Sequence, residues 1–249
     1  MKIFKNIIPA IKLYDALNRL SEYKKEIWEA RATGDFEKER EYILKSTDTW
    51  AKHVMKTFDI TLNVTGKENL PESGPVVFVA NHQSFADILV TLAVLNKFQF
   101  GFIAKDSLKR IPFYGSWIKE IRSVYINRDD ARASLRAIEE GIDLLSKGFS
   151  LLIFPEGSRS QGDAIYEFKK GSLRLATKPG IPVIPVTIDG AYRIFEEGGY
   201  VKNGGQVNVI IHPVIETKGM AKSDANNLSA EVEKIVREGL AKLQAQNSP

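Results

Sequence analysis

The sequence predicts an α/β fold, with a largely parallel or mixed central sheet of about seven strands, flanked by helices and preceded by an N-terminal helical hairpin. From residue 59 onward, short runs rich in β-branched residues alternate with helix-length segments. Runs such as 75–80 and 151–154 are apolar without period-two alternation, as expected of strands that are covered on both faces. Residues 1–58 show helical patterns and no strand signal.

The predicted strands are separated by helix-length segments in most cases, which favours parallel neighbours joined by crossover helices. They are DITLNVTG, PVVFVAN, FGFIAK, SVYINR, SLLIFP, IPVIPVTI and QVNVIIHPVIE. Active sites of such folds lie at the carboxyl ends of the strands. We therefore examine the residues that end each strand first.

The N-terminal part is expected to form its own domain, a helical hairpin over 1–58 that is interrupted near 32–35, ahead of an α/β domain over 59–249. One face of its first helix is apolar, and Trp28 and Trp50 follow. That face comprises Ile3, Phe4, Ile7, Ile8, Ile11 and Tyr14. A second stripe comprises Ile43, Thr47, Trp50 and Val54. Two interpretations stay open: both stripes pack on the α/β domain, or the basic, aromatic hairpin lies in a membrane interface.

Composition excludes several kinds of chemistry. The chain has no cysteine, which excludes disulfides, thiolate zinc sites and a cysteine nucleophile. Three histidines without ligand-like spacing lead us to expect no metal site. The formal charge of +4 is too small an excess to identify a partner, and nothing points to nucleic acid. The longest apolar run in the N-terminal segment, 7–11, is too short to span a bilayer, so we expect no transmembrane segment.

The stretch VVFVANHQSFADILVTL, residues 76–92, places His82 and Asp87 between a strand and a helix. On one continuous helix these two side chains would lie roughly 140° apart. If the strand ends near Ala80 and the helix begins near Ser84, the chain reverses between them and the aspartate faces the imidazole. The alternative is purely structural, because Ser84 and Asp87 also match the helix-capping pattern S-x-x-D.

A second polar corner follows the buried strand in SLLIFPEGSRSQGD. It presents Glu156, Gly157, Ser158 and Arg159. The glycine permits close approach of a ligand to the backbone, the serine offers a hydroxyl, and the arginine offers a bidentate fork for phosphate. The alternative is an ordinary turn with a solvated arginine.

Two further cations end predicted strands, Lys105 in FGFIAK and Arg128 in SVYINR. If these strands are parallel neighbours, the cations and His82 describe an electropositive pocket with one candidate general base, which suits a phosphorylated substrate. Lys169 and Gly171, in FKKGSLRLAT, either line the same pocket or begin a helix.

NHQSFAD followed by FPEGSRS resembles the first and third sequence blocks of the glycerolipid acyltransferases, and most of all the bacterial 1-acyl-sn-glycerol-3-phosphate acyltransferases. SVYINR lies between them and GIPVIPVTIDG follows, so the resemblance covers 60–215. The chain departs from the family in the second block. There, Arg122 replaces a usual glycine and Asn127 a usual acid. This departure leaves the fine acceptor preference open and does not change the implied reaction.

The resemblance implies transfer of a fatty acyl group to the sn-2 hydroxyl of lysophosphatidic acid, with phosphatidic acid as the product. The donor is an acyl-coenzyme A or acyl-carrier-protein thioester, and no cofactor is bound. His82, oriented by Asp87, is the implied catalytic base. The implied substrate-binding residues are Lys105, Arg128, Glu156, Gly157, Ser158 and Arg159.

Within that set, Arg159 holds the acceptor's phosphate with support from Arg128 and Lys105, and Glu156 either fixes its loop or bonds the glycerol. A backbone amide near Gly157 is the expected oxyanion donor, and the apolar residues of LKRIPFYGSWIKEI, 108–121, are the expected acyl-chain groove unless they are core. Because the acceptor is a membrane lipid, residues 1–58 are expected to bind an anionic membrane surface. The expected location is therefore the cytoplasmic face of the cell membrane.

Three alternatives remain at this point. A different acceptor, such as glycerol 3-phosphate or another lysophospholipid, keeps the chemistry and changes the product. A hydrolase would use Ser158 or Ser160 as a nucleophile, although the sequence EGSRS lacks the G-x-S-x-G elbow. A non-catalytic lipid-binding module would use the basic helices and not His82.

Overall fold

The computed structural model describes residues 2–19, 23–197 and 199–247. Seven strands form one sheet, and each corresponds to a run predicted from the sequence. They are β1 (Ile60–Thr65), β2 (Val77–Ala80), β3 (Phe100–Lys105), β4 (Val124–Ile126), β5 (Ser150–Ile153), β6 (Val183–Asp189) and β7 (Gly205–Ile211).

The strand order across the sheet is β1-β7-β6-β2-β5-β3-β4. All neighbours are parallel except β6 and β7, which are antiparallel. This confirms the predicted mixed sheet. This topology also brings the carboxyl ends of five parallel strands to one edge, where active sites of such folds lie. They are β2, β3, β4, β5 and β6.

Along the chain, the described helices lie before the first strand, between the strands and after the last one. They are α1 (Lys2–Arg19), α2 (Lys24–Thr33), α3 (Phe36–Thr57), α4 (Ala86–Val94), α5 (Tyr114–Glu120), α6 (Ala131–Ser146), α7 (Arg174–Thr177), α8 (Ala191–Ile194) and α9 (Lys222–Asn247). No helix among the described residues is both long and apolar enough to cross a membrane.

The central strands are buried on both faces, which explains why their sequences do not alternate. Every residue of β2 is fully buried, and Phe78 packs edge-on against Phe98 and Phe100 with ring centroids 5.5 Å apart. Side chains of this size each contribute about 1.5 to 3 kcal/mol to stability when they are buried. The middle of the sheet is therefore a firm support for the loops at its edge.

The N-terminal part contains three described helices, one more than the predicted hairpin. The hairpin itself is formed by α2 and α3. It turns at Gly34, which adopts a left-handed φ of +73°, and at Asp35, whose carboxylate accepts a hydrogen bond from the Lys38 amide at 3.0 Å. Both features end one helix and begin the next in the usual way. Helix α1 precedes this hairpin.

The apolar stripe of α3 belongs to the core of the protein. Ile43, Thr47, Trp50 and Val54 are all buried, and the Trp50 ring lies 5.3 Å from that of Trp117. The interpretation that Trp50 lies at a membrane boundary is therefore wrong, because α3 packs against α4 and its apolar stripe is part of the core. The division into two domains stays a prediction, since α3 shares a core with the sheet.

The apolar stripe of α1 differs from that of α3 in its exposure, among the side chains that the structure describes. Ile7, Ile11 and Tyr14 are 45%, 61% and 48% exposed, whereas the side chains of Ile3, Phe4 and Ile8 lie outside the described ones. Trp28 is exposed, but its indole N–H donates to Glu120 at 2.8 Å. Helix α1 thus presents apolar side chains to solvent.

Arg122, which stands where the resembled family has glycine, has a left-handed φ of +64°. Its guanidinium donates to both carboxylate oxygens of the fully buried Glu39 at 2.8 Å. Arg31 donates to the same carboxylate at 2.7 Å and to Glu120 at 2.9 Å. The residue lines neither of the cavities described below. Its guanidinium joins α3 to the approach to β4.

Candidate active site

The corner that carries His82 lies between the end of β2 and the start of α4. The side chain of Asn81 is fully buried and makes two hydrogen bonds to Ile188 of β6, one to the amide at 2.8 Å and one to the carbonyl at 2.9 Å. These contacts extend the pairing of β2 with β6 by one residue. The position of the next residue, His82, is fixed in consequence.

Asp87 lies in the first turn of α4 and organises this corner. Its Oδ2 atom accepts hydrogen bonds from His82 Nδ1 at 2.7 Å, from the Gln83 amide at 2.7 Å and from the Ser84 amide at 2.9 Å. An ionised carboxylate only accepts, so Nδ1 carries the proton and Nε2 is left with a lone pair. The two interpretations of Asp87 therefore hold together, because one oxygen both caps the corner and orients the imidazole.

The imidazole is also fixed by stacking. Its ring lies 4.0 Å from the ring of Phe154, with 15° between the planes. Its exposed side-chain fraction is 17%, while Asp87 is fully buried. His82 thus keeps one edge open toward the adjacent cavity.

The second corner, 154–161, is joined directly to the first. Glu156 is 4% exposed, and its two oxygens accept from the His82 amide at 2.6 Å and the Tyr166 amide at 2.7 Å. The Ser160 amide donates to the His82 carbonyl at 2.8 Å, and the Gln161 amide donates to the Gln83 carbonyl at 3.1 Å. The two corners therefore form one hydrogen-bonded unit.

Of the two roles expected for Glu156, the structure agrees with fixing the loop. Glu156 lines neither of the two cavities described below, so its assignment as a substrate-binding residue is not supported. Burial raises the pKa of its carboxyl to about 7, against the opposing effect of the two amide hydrogen bonds.

A cavity of about 390 Å³ opens beside His82. It brings together all but one of the residues predicted to touch substrate, with Asp87 directly behind the imidazole. They are His82, Lys105, Arg128, Gly157, Ser158 and Arg159. They meet because β2, β5, β3 and β4 are parallel neighbours and end at the same edge.

The cations in this cavity differ in their partners. Arg159 forms an ion pair with Glu196 through one Nη atom and lies over the Phe85 ring at 3.6 Å. Lys105 and Arg128 have no carboxylate partner in the part of the chain that the structure describes. Partial burial lowers the pKa of the Arg128 guanidinium. The Arg159 pairing depends on a contact between loops 37 residues apart, which no local pattern indicates.

The opposite wall of the cavity is apolar. The stretch 108–121 contributes Leu108, Tyr114 and Ile118 to it, whereas Trp117 and Ile121 are buried in the core. The stretch therefore contributes residues both to the cavity and to the core, and its role as an acyl-chain groove stays a prediction. Such a wall suits a hydrocarbon chain.

The expected oxyanion donor near Gly157 is only partly available. The Gly157 amide donates to the Phe154 carbonyl at 3.1 Å and closes the turn, so this amide is not free to bind an oxyanion. The amides of Ser158 and Arg159 have no acceptor among the described residues, and both residues line the cavity.

A second cavity of about 230 Å³ adjoins the first. Both cavities are lined by Arg128, Phe154 and Gly157. Lys169 and Lys170 line only the second one. Sequence reasoning placed Lys169 at either a pocket or a helix start, and the structure places it in the wall of this neighbouring cavity. The signal was the lysine pair before Gly171 in FKKG.

Comparison with known proteins defines the class. The acyltransferase family profile matches residues 61–189, and the chain belongs to this family. A 1-acyl-sn-glycerol-3-phosphate acyltransferase of Borreliella burgdorferi is 31% identical over 74% of this chain and 71% of its own length.

The structure of the 1-acyl-sn-glycerophosphate acyltransferase PlsC of Thermotoga maritima superposes with a TM-score of 0.74 at 30% identity and covers 98% of both chains. The chloroplast enzyme LPAT1 of Arabidopsis thaliana is 39% identical over 62% of this chain. That match spans only 43% of the chloroplast enzyme's length.

Proposed function

We propose that the protein transfers a fatty acyl group from an acyl thioester to the sn-2 hydroxyl of 1-acyl-sn-glycerol 3-phosphate, giving phosphatidic acid. The observation that carries this proposal is the His82 Nδ1 to Asp87 Oδ2 hydrogen bond of 2.7 Å. It directs a basic nitrogen at a cavity with both cationic and apolar walls. The named activity of the relatives supports it.

In the proposed reaction, the acceptor's hydroxyl oxygen bonds to the thioester carbonyl carbon while its proton passes to His82 Nε2. The carbon–sulfur bond then breaks, and the leaving thiolate takes that proton back from the imidazolium. The Asp87 carboxylate holds the ring in the productive tautomer and stabilises its charged form. A positioned base of this kind contributes roughly 10²- to 10⁴-fold to the rate.

The acceptor's phosphate is assigned to Arg159, with Lys105 and Arg128 in support and Ser158 as a hydroxyl donor. The Glu196 ion pair uses one Nη atom of Arg159, so other guanidinium donors are left for a phosphate. The stacking of Arg159 on Phe85 holds the guanidinium in one orientation. Binding at this position keeps the glycerol hydroxyl near His82.

The hydrolase alternative loses support. The Ser160 hydroxyl donates to the Gly162 carbonyl at 3.1 Å. Neither this serine nor Ser158 is hydrogen-bonded to the His82 ring in the described ranges. Direct transfer between two bound substrates requires no such nucleophile.

The test supplies purified protein with acyl-coenzyme A and acyl-carrier-protein thioesters and a panel of acceptors. The panel contains 1-acyl-sn-glycerol 3-phosphate, other lysophospholipids and glycerol 3-phosphate, and mass spectrometry identifies each product. We expect phosphatidic acid to dominate. A dominant product from glycerol 3-phosphate would reassign the acceptor, and thioester consumption without acceptor would restore the hydrolase.

Peripheral attachment to the cytoplasmic membrane surface is part of the same proposal. Ile7, Ile11 and Tyr14 of α1 are exposed, as are Ile111 and Phe113 beside the His82 cavity. The Tyr14 and Phe113 rings touch edge to face, 5.0 Å apart, so these side chains form one apolar patch. A lysolipid acceptor held in a bilayer would then lie close to the cavity.

Liposome co-sedimentation tests the attachment. We expect the protein to bind anionic vesicles more weakly at high salt, and Ile7→Asp with Ile11→Asp to abolish binding because two charges enter the apolar patch. Turnover of a dispersed short-chain acceptor should survive. Glu41→Gln, on an exposed face of α3, is the control. Unchanged binding by the double variant would contradict this surface.

A further inference from the structure

The second cavity contains two cations that converge without a carboxylate between them. Arg128 Nη1 and Lys169 Nζ each lie 2.9 Å from the point where a Cβ atom on residue 157 would stand. The two nitrogen atoms, Arg128 Nη1 and Lys169 Nζ, are therefore separated by at most twice that distance. Neither side chain forms an ion pair or hydrogen bond with another residue among those that the structure describes. A bound anion would remove their mutual repulsion.

Gly157 is what leaves room for such an anion. Its φ of +79° is left-handed, and an added Cβ atom would lie 2.9 Å from the ends of both cationic side chains, which would have to move away. Since glycine alone adopts this conformation without strain and carries no side chain, the space between the guanidinium and the ammonium stays open.

The remaining lining of this cavity is mostly apolar. Ile126, Ile138 and Leu175 belong to it, and its wall beside Phe154 is shared with the His82 cavity. His82 stacks on the same phenyl ring. A ligand suited to this space has a phosphate at one end and methylene or methyl groups leading from it toward His82.

We infer that the second cavity binds the phosphate of the acyl donor's phosphopantetheine arm between Arg128 and Lys169, while the acceptor's phosphate binds Lys105 and Arg159 in the His82 cavity. This inference moves Arg128 from the acceptor's phosphate, where it was a supporting residue, to the donor's. This rests on the proposed function. Both substrates must be bound together, because the transfer is direct, and both carry phosphate. Two phosphates bound at one site would repel each other. The structure offers two sets of cations, Lys105 with Arg159 and Arg128 with Lys169.

The chemistry of the arm agrees with the lining. Phosphopantetheine has a gem-dimethyl group close to its phosphate, which suits an apolar wall. The hydroxyl and the two amide groups that follow require polar partners, and Ser134 and Ser172 line the same cavity. The same phosphate occurs in coenzyme A and in acyl carrier protein, so one subsite serves either donor.

The test compares two minimal donors with the same acyl chain, S-acyl-4′-phosphopantetheine and S-acyl-pantetheine, which differ only in the phosphate. We expect wild-type protein to prefer the phosphorylated donor by about tenfold or more in kcat/KM, as for a charge-assisted contact. Lys169→Ala should remove most of this preference and leave the acceptor's KM unchanged, and Lys169→Arg should retain it.

Lys178→Ala is the matched control, because Lys178 is an exposed lysine that lines neither cavity. A preference that survives Lys169→Ala would overturn the inference. So would a rise in the acceptor's KM alone, which would assign this anion site to the acceptor. Calorimetric binding of 4′-phosphopantetheine to wild type but not to Lys169→Ala would support the subsite even if no turnover is found and the proposed function fails.

Discussion

Strand β4 has an arginine two residues from each of its ends, and the two have opposite surroundings. Arg122, before the strand, donates from Nε and from one Nη atom to the two carboxylate oxygens of the buried Glu39. Arg128, after the strand, has no carboxylate partner in the described chain and faces both cavities. The charge before β4 is neutralised inside the protein, and the charge after it is left for a ligand.

At these two positions the difference lies in the partners: the carboxylate of Glu39 satisfies Arg122, whereas the proposed ligand of Arg128 is an anion from outside the chain. Removing one member of a buried pair is costly because the other is left uncompensated. A half-buried cation without a partner already carries such a cost, and a bound anion removes it. Substitutions at the two edges of the sheet should therefore change different measured quantities.

The largest effect on activity is expected at the carboxyl edge. His82→Ala should lower kcat/KM by roughly 10²- to 10⁴-fold, because it removes the general base. The free energy of unfolding, measured in urea, should change by less than about 1 kcal/mol, since the ring is partly exposed at a cavity. Activity above about a tenth of wild type would contradict the role of His82 as base.

The largest effect on stability is expected at the amino edge. Glu39→Gln should lower the free energy of unfolding by roughly 2 to 4 kcal/mol, because Arg31 and Arg122 lose the carboxylate that both bind. Both arginines keep about a quarter of their surface exposed, which moderates the loss. Denaturant unfolding measures it, and KM for both substrates should stay unchanged.

The control for this change is Glu41→Gln, on the same helix, whose carboxylate is 58% exposed and pairs only with Lys45. It should cost less than about 0.5 kcal/mol. Equal losses in the two variants would show that the Glu39 pairs contribute no more than a surface ion pair.

A smaller effect is expected for Arg159→Ala. The acceptor's KM should rise about tenfold while the donor's KM changes little, because a charge-assisted phosphate contact is lost in both ground and transition states. Arg159→Lys should restore only part of the affinity, since lysine lacks the planar fork. Steady-state kinetics with each substrate varied in turn measures both constants. A rise confined to the donor would move this residue to the donor site.

A further effect concerns the pH dependence of stability. Because burial raises the folded-state pKa of Glu156 to about 7, the folded chain binds more protons than the unfolded chain between the two pKa values. Stability from this group is therefore present at low pH and is lost as pH rises toward 7. Glu156→Gln should remove this component, so the difference in melting temperature between variant and wild type should change from pH 5 to pH 7. Parallel curves would contradict it.

The sequence was sufficient for the sheet and for most of the site because the relevant signals are local. Each strand is a short apolar run, and Lys105 and Arg128 stand at or just beyond strand ends. Their convergence then follows from parallel pairing alone. The orientation of His82 by Asp87 was accessible for the same reason, since five residues separate them.

What the sequence did not reveal depends on contacts between distant segments. The Arg122 to Glu39 pair joins residues 83 apart, so the sequence around Arg122 gave no sign of its structural partner. Trp50 is of a residue type that suits a membrane interface, yet its side chain is buried where α3 packs on the core. Glu156 has its partners in two other loops, so its sequence neighbours gave no sign of them.

The backbone hydrogen bonds between the two corners bear on how this enzyme class can be re-engineered. His82 and Gln83 accept from the amides of Ser160 and Gln161, and the His82 amide donates to Glu156. A loop of 154–161 transferred from a relative with another acceptor would therefore lack the matching 81–84 segment with which it forms these hydrogen bonds. Grafts that exchange 81–84 and 154–161 together should yield folded, active chimaeras more often than grafts of either segment alone.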